Sequence, residues 1–119
     1  MLLAALAAAA ALATPADTDL PTITTPDWRR RATGADVMRV YPGRAFRRGV
    51  SGAALVACSV SKEGTLVDCS VLEETPSGEG FGEAALKLTR LYTMRPLTKD
   101  GLSVEGGKVR MPMRFIAPR

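Results

Sequence analysis

Two cysteines are the side chains with the most distinctive chemistry in this chain. Among its 119 residues there are 2 Cys and no His, so the commonest general base and the commonest metal ligand are both missing. Two thiols without His do not make a zinc site. Cys58 and Cys69 also lack the C-x-x-C spacing of a redox pair. We therefore interpret them as a structural disulfide rather than as a metal-binding or catalytic pair.

The pairing of these cysteines depends on the turn between them. If the hairpin loop has two residues, 63–64, Cys58 lies opposite Cys69, and facing Cα atoms ~4.5–5.5 Å apart suit a disulfide. If the loop has three residues, 62–64, Cys58 faces Asp68, and one bulge in the second strand would restore the pairing. In the entropy model, closing so short a loop stabilises the fold by roughly 3 kcal/mol.

The acidic residues offer no catalytic arrangement. Glu73 and Glu74 lie beside a turn, and Glu79 and Glu83 lie near the start of a helical pattern. Such positions are typical of solvated carboxylates. No His or activated nucleophile accompanies them, and the sequence contains no phosphate-binding loop, metal motif or catalytic triad. We therefore expect a protein that is not an enzyme, with no catalytic residues, no cofactor and no metal.

The beginning of the chain predicts export. Residues 2–13 are an apolar, Ala-rich run, shorter than the roughly 20 residues that span a bilayer. The run resembles the core of a signal peptide, and its final Ala-Leu-Ala is an A-x-A-like cleavage site. We predict a cleaved signal peptide over 1–13, a polar, Pro-rich disordered leader over 14–27, and a domain over 28–119. Export implies an oxidising compartment, where paired cysteines persist as disulfides.

Positive charge is concentrated in one part of the chain. The net charge is +4, and residues 28–50 carry seven Arg against one acid, Asp36. We interpret this stretch as a solvated helical surface that could also attract an acidic protein or an anionic envelope surface. The export signal and the few aromatic residues beside these Arg argue against a nucleic-acid partner.

Hydrophobic periodicity predicts two strands, one helix and a final strand. Alternation marks strands over 52–60 and 66–73, joined by a turn that contains Gly64, and a last strand over 108–116. Residues 81–92 carry an apolar stripe with helical spacing. That stripe consists of Phe81, Ala84, Ala85, Leu88 and Leu91 or Tyr92. The first strand is apolar on both faces, which is typical of a central strand. The pattern predicts an α+β fold of β-β-α-β order: a three-stranded antiparallel sheet, the first strand central, with one helix on a face.

The alternation also predicts which side chains of the other two strands face the core. In the second strand this set is Val67, Cys69 and Val71. In the last strand it is Val109, Met111, Met113 and Phe115, whereas Arg110, Pro112 and Arg114 point the other way.

The last strand is the most informative one for function. Because the first strand is central, the last strand lies at an edge of the sheet. Such an edge could bind an extended peptide, or its charged residues and Pro could protect it against aggregation. Pro112 has no N–H, so its side of the backbone should face the free edge and interrupt the row of donors. Exposed edges could also pair two copies into a homodimer.

A set of markers runs through residues 41–115 in a fixed order. It consists of Tyr41-Pro42 with Ala45, Gly52 at the start of the first strand, Gly64 in the turn, a helix with Ala84-Ala85 that closes on Arg95-Pro96, and the final Met111-Pro112-Met113-Arg114-Phe115. Together they resemble the C-terminal domain of the TonB energy transducers. The resemblance implies a TonB/TolA-like α+β domain whose last strand pairs with a short segment, the TonB box, of outer-membrane receptors.

The resemblance also implies where a peptide would bind. The peptide-binding residues would be Arg110, Met111, Pro112, Met113, Arg114 and Phe115, with Tyr41 and Pro42 shaping the same region. Alternatively, Tyr41 and Pro42 form a turn anchor packed on the helix.

Two functions are compatible with these features. The first is a periplasmic TonB-like domain that engages outer-membrane receptor segments by strand addition, in TonB-dependent transport. The alternative is a disulfide-stapled structural or envelope-interaction protein, TolA-like, without energy transduction, because the leader over 14–27 is too short to reach between membranes. An open row of donors on the last strand favours the first function, and a blocked row favours the second.

Overall fold

The computed structural model describes residues 22–118, which contain a three-stranded antiparallel sheet with a helix packed on it. The elements are β1 (Trp28–Arg30), α1 (Gly34–Val40), α2 (Gly43–Arg47), β2 (Gly52–Val60), β3 (Leu66–Thr75), α3 (Phe81–Thr89), β4 (Thr93–Met94) and β5 (Lys108–Phe115). The strand order in the three-stranded sheet is β3-β2-β5, so the predicted α+β fold with the strand 52–60 at its centre is confirmed.

The core lies between α3 and the main sheet. Along β2 every second side chain is buried: Ala54, Val56, Cys58 and Val60. The predicted helical stripe is buried as well, through Phe81, Ala84, Ala85 and Leu88. Each large aliphatic or aromatic side chain buried in this way contributes about 1.5–3 kcal/mol. The alternate buried side chains of β2 and the apolar stripe of α3 therefore pack against each other in one core.

The end of the helix differs from the sequence-based prediction. We expected helix over 81–92, but α3 ends at Thr89. Residues Thr93 and Met94 are instead extended and form β4, which pairs with β1. The Met94 side chain is fully buried and its N–H donates to the Gly64 carbonyl over 2.8 Å. These contacts with distant segments offset the local helical preference of the sequence.

The β2–β3 hairpin has a three-residue loop. The Ser61 N–H donates to the Thr65 carbonyl over 3.0 Å, and the residues between them are 62–64. Beyond the loop the register shifts between the pairs Ala57↔Ser70 and Ser59↔Val67. The additional residue is Asp68, with a positive φ of 52°.

This bulge brings the two cysteines together. Cys58 and Cys69 form the predicted disulfide, with Cα atoms 4.0 Å apart. Of the two register alternatives, the three-residue loop with a compensating bulge is correct. The inward set predicted for β3 is wrong at Val67, which is 39% exposed, because the bulge at Asp68 breaks the alternation.

The pairing of β5 with β2 is regular. The register runs without a shift from Gly52↔Phe115 to Ser59↔Lys108. The side chains predicted to face the core from β5, Val109, Met111, Met113 and Phe115, are all buried, and Arg110, Pro112 and Arg114 are exposed. The observed strand ends one residue before the predicted end at 116. Since no bulge interrupts it, β5 presents a straight outer edge.

The chain before β1 also contacts the domain. The predicted signal peptide over 1–13 lies outside the described residues, and so does most of the predicted leader over 14–27. Residues 22–27, which we expected to be disordered, lie against later segments: the Asp27 carbonyl accepts from the Arg95 N–H over 2.8 Å, and the Thr25 carbonyl accepts from the Lys99 N–H over 3.2 Å.

Candidate peptide-binding edge

The outer edge of β5 is the candidate site. Because β2 is central and β5 pairs with it on one side only, the other side of β5 has no further strand of the main sheet among residues 22–118. An edge of this kind presents backbone N–H and C=O groups that can pair with an extended peptide.

A short N-terminal segment covers the first position of this edge. The Ile23 N–H donates to the Lys108 carbonyl over 2.7 Å, and Thr22 forms a parallel bridge with Lys108. The Ile23 side chain is 8% exposed and packs so closely on Gly107 that an added Cβ there would lie 2.7 Å from Ile23 Cδ1. The part of the edge that remains for a partner therefore begins after Lys108.

The exposed side chains of β5 carry positive charge. Arg110 and Arg114 flank Pro112 on the same face of the strand, and neither Arg forms a salt bridge within residues 22–118. Residues that share a face of a strand also point their N–H groups to the same edge. The missing N–H of Pro112 therefore interrupts one row of donors.

The core-facing residues of β5 direct their backbone N–H and C=O groups to β2. The Lys108 carbonyl, which accepts from Ile23, shows that the backbone groups of the other set of residues point to the outer edge. The side chains of Met111, Met113 and Phe115 are buried beneath the sheet. A peptide added to the edge would form its backbone hydrogen bonds with the exposed residues of β5, and its own core-face side chains would lie beside the buried ones. The assignment of Met111, Met113 and Phe115 as peptide-binding residues stays a prediction.

Tyr41 lies in the core. Its ring meets Phe46, Phe81 and Phe115 edge to face, with centroid distances of 5.7, 5.8 and 5.8 Å. Its hydroxyl donates to the Val50 carbonyl over 2.6 Å, and the side chain is 7% exposed. Of the two alternatives for Tyr41-Pro42, these contacts favour the turn anchor.

Pro42 connects this anchor to the start of α3. It is half-buried and precedes α2, and a Cβ added at Gly80 would lie 3.4 Å from Pro42 Cβ. Gly80 itself has a φ of 92° immediately before α3. The Tyr41-Pro42 pair therefore fixes the first turn of the helix against the sheet.

Beside the edge lies a groove that the sequence analysis did not identify. It has a volume of about 540 Å³ and is lined by β5 residues 109–112 on one side and by Trp28, Arg31 and Tyr92 on another. The N-terminal segment also lines it, through Thr22, Ile23, Thr24 and Pro26. We call it the Trp28 groove. The sequence pattern predicted that either Leu91 or Tyr92 belongs to the helical stripe and that Arg31 lies on a solvated surface. The single Trp of the chain, next to three consecutive Arg, was the available signal.

The rings and the guanidinium in this wall lie close together. The Trp28 and Tyr92 rings meet edge to face with centroids 5.1 Å apart. Partial burial raises the pKa of the Tyr92 hydroxyl, and the nearby Arg31 guanidinium and a hydrogen bond with the Ala32 backbone oppose that rise. The wall therefore combines apolar aromatic surface with a positive charge.

The described residues contain neither a metal cluster nor a membrane-spanning helix. No three His, Cys, Asp or Glu side chains within residues 22–118 are grouped so that they could hold a metal ion. In the same part of the chain, none of the helices is both long and apolar enough to cross a membrane. The cysteines are used in the disulfide.

Known proteins share this fold and sequence pattern. Residues 38–116 match the family model described as the Gram-negative bacterial TonB protein C-terminal domain. The match covers more than half of the chain, so the protein belongs to the TonB C-terminal domain family. This family is a non-catalytic protein-interaction domain of the Gram-negative periplasm that generally interacts with outer-membrane proteins.

Individual proteins resemble this chain in sequence or in fold. An uncharacterised protein of Caulobacter vibrioides is 34% identical over 62 residues, which are 52% of this chain and 62% of that protein. The solution structure of the TonB C-terminal domain of Pseudomonas aeruginosa has a TM-score of 0.61 at 20% identity, with 84% of this chain and 96% of that chain covered. The TonB2 protein of Vibrio anguillarum has a TM-score of 0.52 at 25% identity, with 66% and 74% covered.

Proposed function

We propose that this protein is a periplasmic module that binds an extended segment of an outer-membrane receptor by strand addition to the free edge of β5, as part of TonB-dependent transport. The observation that supports this function best is the position of β5 at the edge of the sheet, paired along its whole length with the central strand. A straight and well-supported edge costs a partner strand little reorganisation.

The charge of the edge indicates the character of the peptide. The exposed Arg110 and Arg114 have no ion-pair partner within residues 22–118. In an added strand, the side chains opposite them would lie on the same face and close to the guanidinium groups. We therefore propose a partner segment with acidic residues on that face.

Titration of receptor-derived peptides into the ¹⁵N-labelled protein tests this function. Synthetic peptides from the N-terminal segments of outer-membrane receptors should shift the amide signals of residues 109–115 and, to a smaller extent, those of β2. A scrambled peptide of the same composition is the control. Shifts confined to α3 or β3, with none along residues 108–116, would contradict strand addition at this edge.

A second candidate function is a structural or envelope-interaction protein of TolA-like character. It is favoured by Pro112, which removes one donor from the middle of the edge, and by the Ile23–Lys108 hydrogen bond, which covers its beginning. Both features are typical devices against unwanted strand pairing. This function predicts that no receptor-derived peptide shifts β5 and that the disulfide contributes stability only.

A further inference from the structure

The Trp28 groove lies where the side chains of an added strand would point. A strand paired with the free edge of β5 places alternate side chains on the same face as the buried Val109 and Met111, and these residues line the groove. The other side chains lie on the face of Arg110, Pro112 and Arg114. A partner bound at the edge therefore presents every second side chain to the groove.

The apolar part of the groove suits a large apolar side chain. Trp28 and Tyr92 are both half-buried, so each exposes part of its ring to the groove. Rings of this kind provide a large apolar contact area and have few rotatable bonds.

The polar part of the groove suits a carboxylate. Arg31 is exposed and forms no salt bridge within the described residues 22–118, although it lies near enough to the Tyr92 hydroxyl to act on its pKa. A guanidinium beside aromatic surface pairs well with a planar carboxylate. The Arg-rich stretch over 28–50 adds to the positive potential of Arg31, and this potential disfavours a cationic side chain in the groove.

The groove extends along two alternate core-facing positions of β5, Val109 and Met111. Its volume of about 540 Å³ lies within the range of ~300–1,000 Å³ that is common for ligand sites. Alternate residues of an extended strand lie roughly 6.6–6.8 Å apart on one face. The groove can therefore receive residues i and i+2 of the same strand.

We infer that the Trp28 groove is a side-chain subsite for the partner peptide, which carries a large apolar residue and an acidic residue two positions apart. The apolar side chain contacts the Trp28 and Tyr92 rings, and the carboxylate pairs with Arg31. This inference rests on the proposed function, because the β5 edge holds the peptide extended.

A double-mutant cycle between protein and peptide tests the inference. Two synthetic peptides are used, and each is a Thr-rich extended sequence that contains one Leu. Two positions after the Leu, one peptide has Glu and the other has Gln. Each is titrated into the ¹⁵N-labelled protein with its full sequence and into its Arg31→Gln and Arg29→Gln variants. Arg29 is the matched control, since it is exposed two residues before Arg31 and does not line the groove.

The wild type should bind the Glu peptide about three- to fivefold more tightly than the Gln peptide. Arg31→Gln should remove this difference, and Arg29→Gln should keep it. Replacing Leu by Ala in the Glu peptide should weaken binding to the wild type by about tenfold. The indole N–H signal of Trp28 should shift with the Leu peptides.

Failure of the subsite and failure of the proposed function give different results. Suppose that the peptides shift the signals of residues 109–115, but the wild type binds the Glu and Gln peptides with equal affinity, or Arg31→Gln has the same peptide affinities as Arg29→Gln. The subsite is then wrong, and strand addition stands. If receptor-derived peptides shift residues 109–115 and the designed Leu peptides do not, the subsite alone is wrong. If no peptide shifts these residues, both proposals are wrong.

Discussion

Pro112 of the edge strand lies directly opposite Leu55 of the central strand. The pairing is regular on both sides of this position, so the missing N–H of Pro112 does not disturb the β2–β5 register. Its effect is therefore expected on the outer side of β5, where a partner would pair.

Pro112→Val should tighten peptide binding and increase dimerisation. The substitution restores one backbone N–H donor to the free edge and removes the proline that hinders pairing with another strand. Peptide titration and sedimentation measure the two effects. Pro118→Val is the control, because Pro118 is also exposed but follows the end of β5. Weaker binding with no change of oligomeric state would show that Pro112 does not limit the edge.

Arg110→Glu should weaken the binding of an acidic peptide by about fivefold and reduce its dependence on salt concentration. The reason is that a repulsive charge replaces the guanidinium beside the edge. Titrations at low and high salt measure this change. Lys87→Glu makes the same change of charge on the exposed face of α3 and should have little effect. Equal effects of both variants would indicate a response to net charge alone.

Cys58→Ser combined with Cys69→Ser should destabilise the protein by roughly 3 kcal/mol, because the open chain gains conformational entropy when it unfolds. The melting temperature should fall by at least roughly 10 °C, and reductant should have a similar effect on the wild type. Calorimetry measures both. Thiol labelling of the denatured, unreduced protein should find no reactive thiol, and two reactive thiols would contradict the disulfide.

Gly64→Ala should be far more destabilising than Gly49→Ala. Both residues have positive φ, 92° and 68°, which costs an alanine about 1–3 kcal/mol. A Cβ at Gly64 would in addition overlap the backbone carbonyl of Met94, whereas nothing lies within 4 Å of a Cβ at Gly49. Urea denaturation measures the difference. Equal losses would mean that β4 moves away from the turn at little cost.

Tyr41→Phe should cost about 1 kcal/mol of stability and leave peptide affinity unchanged. The substitution removes the hydroxyl that donates to the Val50 carbonyl and retains the ring within the aromatic cluster. Denaturation and peptide titration on the same variant separate the two roles. A loss of affinity without a loss of stability would support the alternative in which Tyr41 shapes the binding region.

The sequence by itself determined the elements whose patterns are local. Alternation fixed the bounds of β2 and the inward set of β5, helical spacing fixed the buried stripe of α3, and the chemistry of the two cysteines indicated a disulfide. Each of these features depends on which side chains are buried on folding. The spacing of the apolar residues within a single strand or helix is enough to indicate them.

Only the tertiary structure decided the features that depend on distant contacts. The three-residue loop of the hairpin and the bulge at Asp68 together bring Cys58 opposite Cys69, and α3 ends before Met94, which is buried against the turn. The Trp28 groove arises because β1 pairs with β4 and brings Trp28 to Tyr92. No local period encodes such a meeting, because its stabilisation comes from surfaces that are far apart along the chain and are buried only when the whole domain has folded.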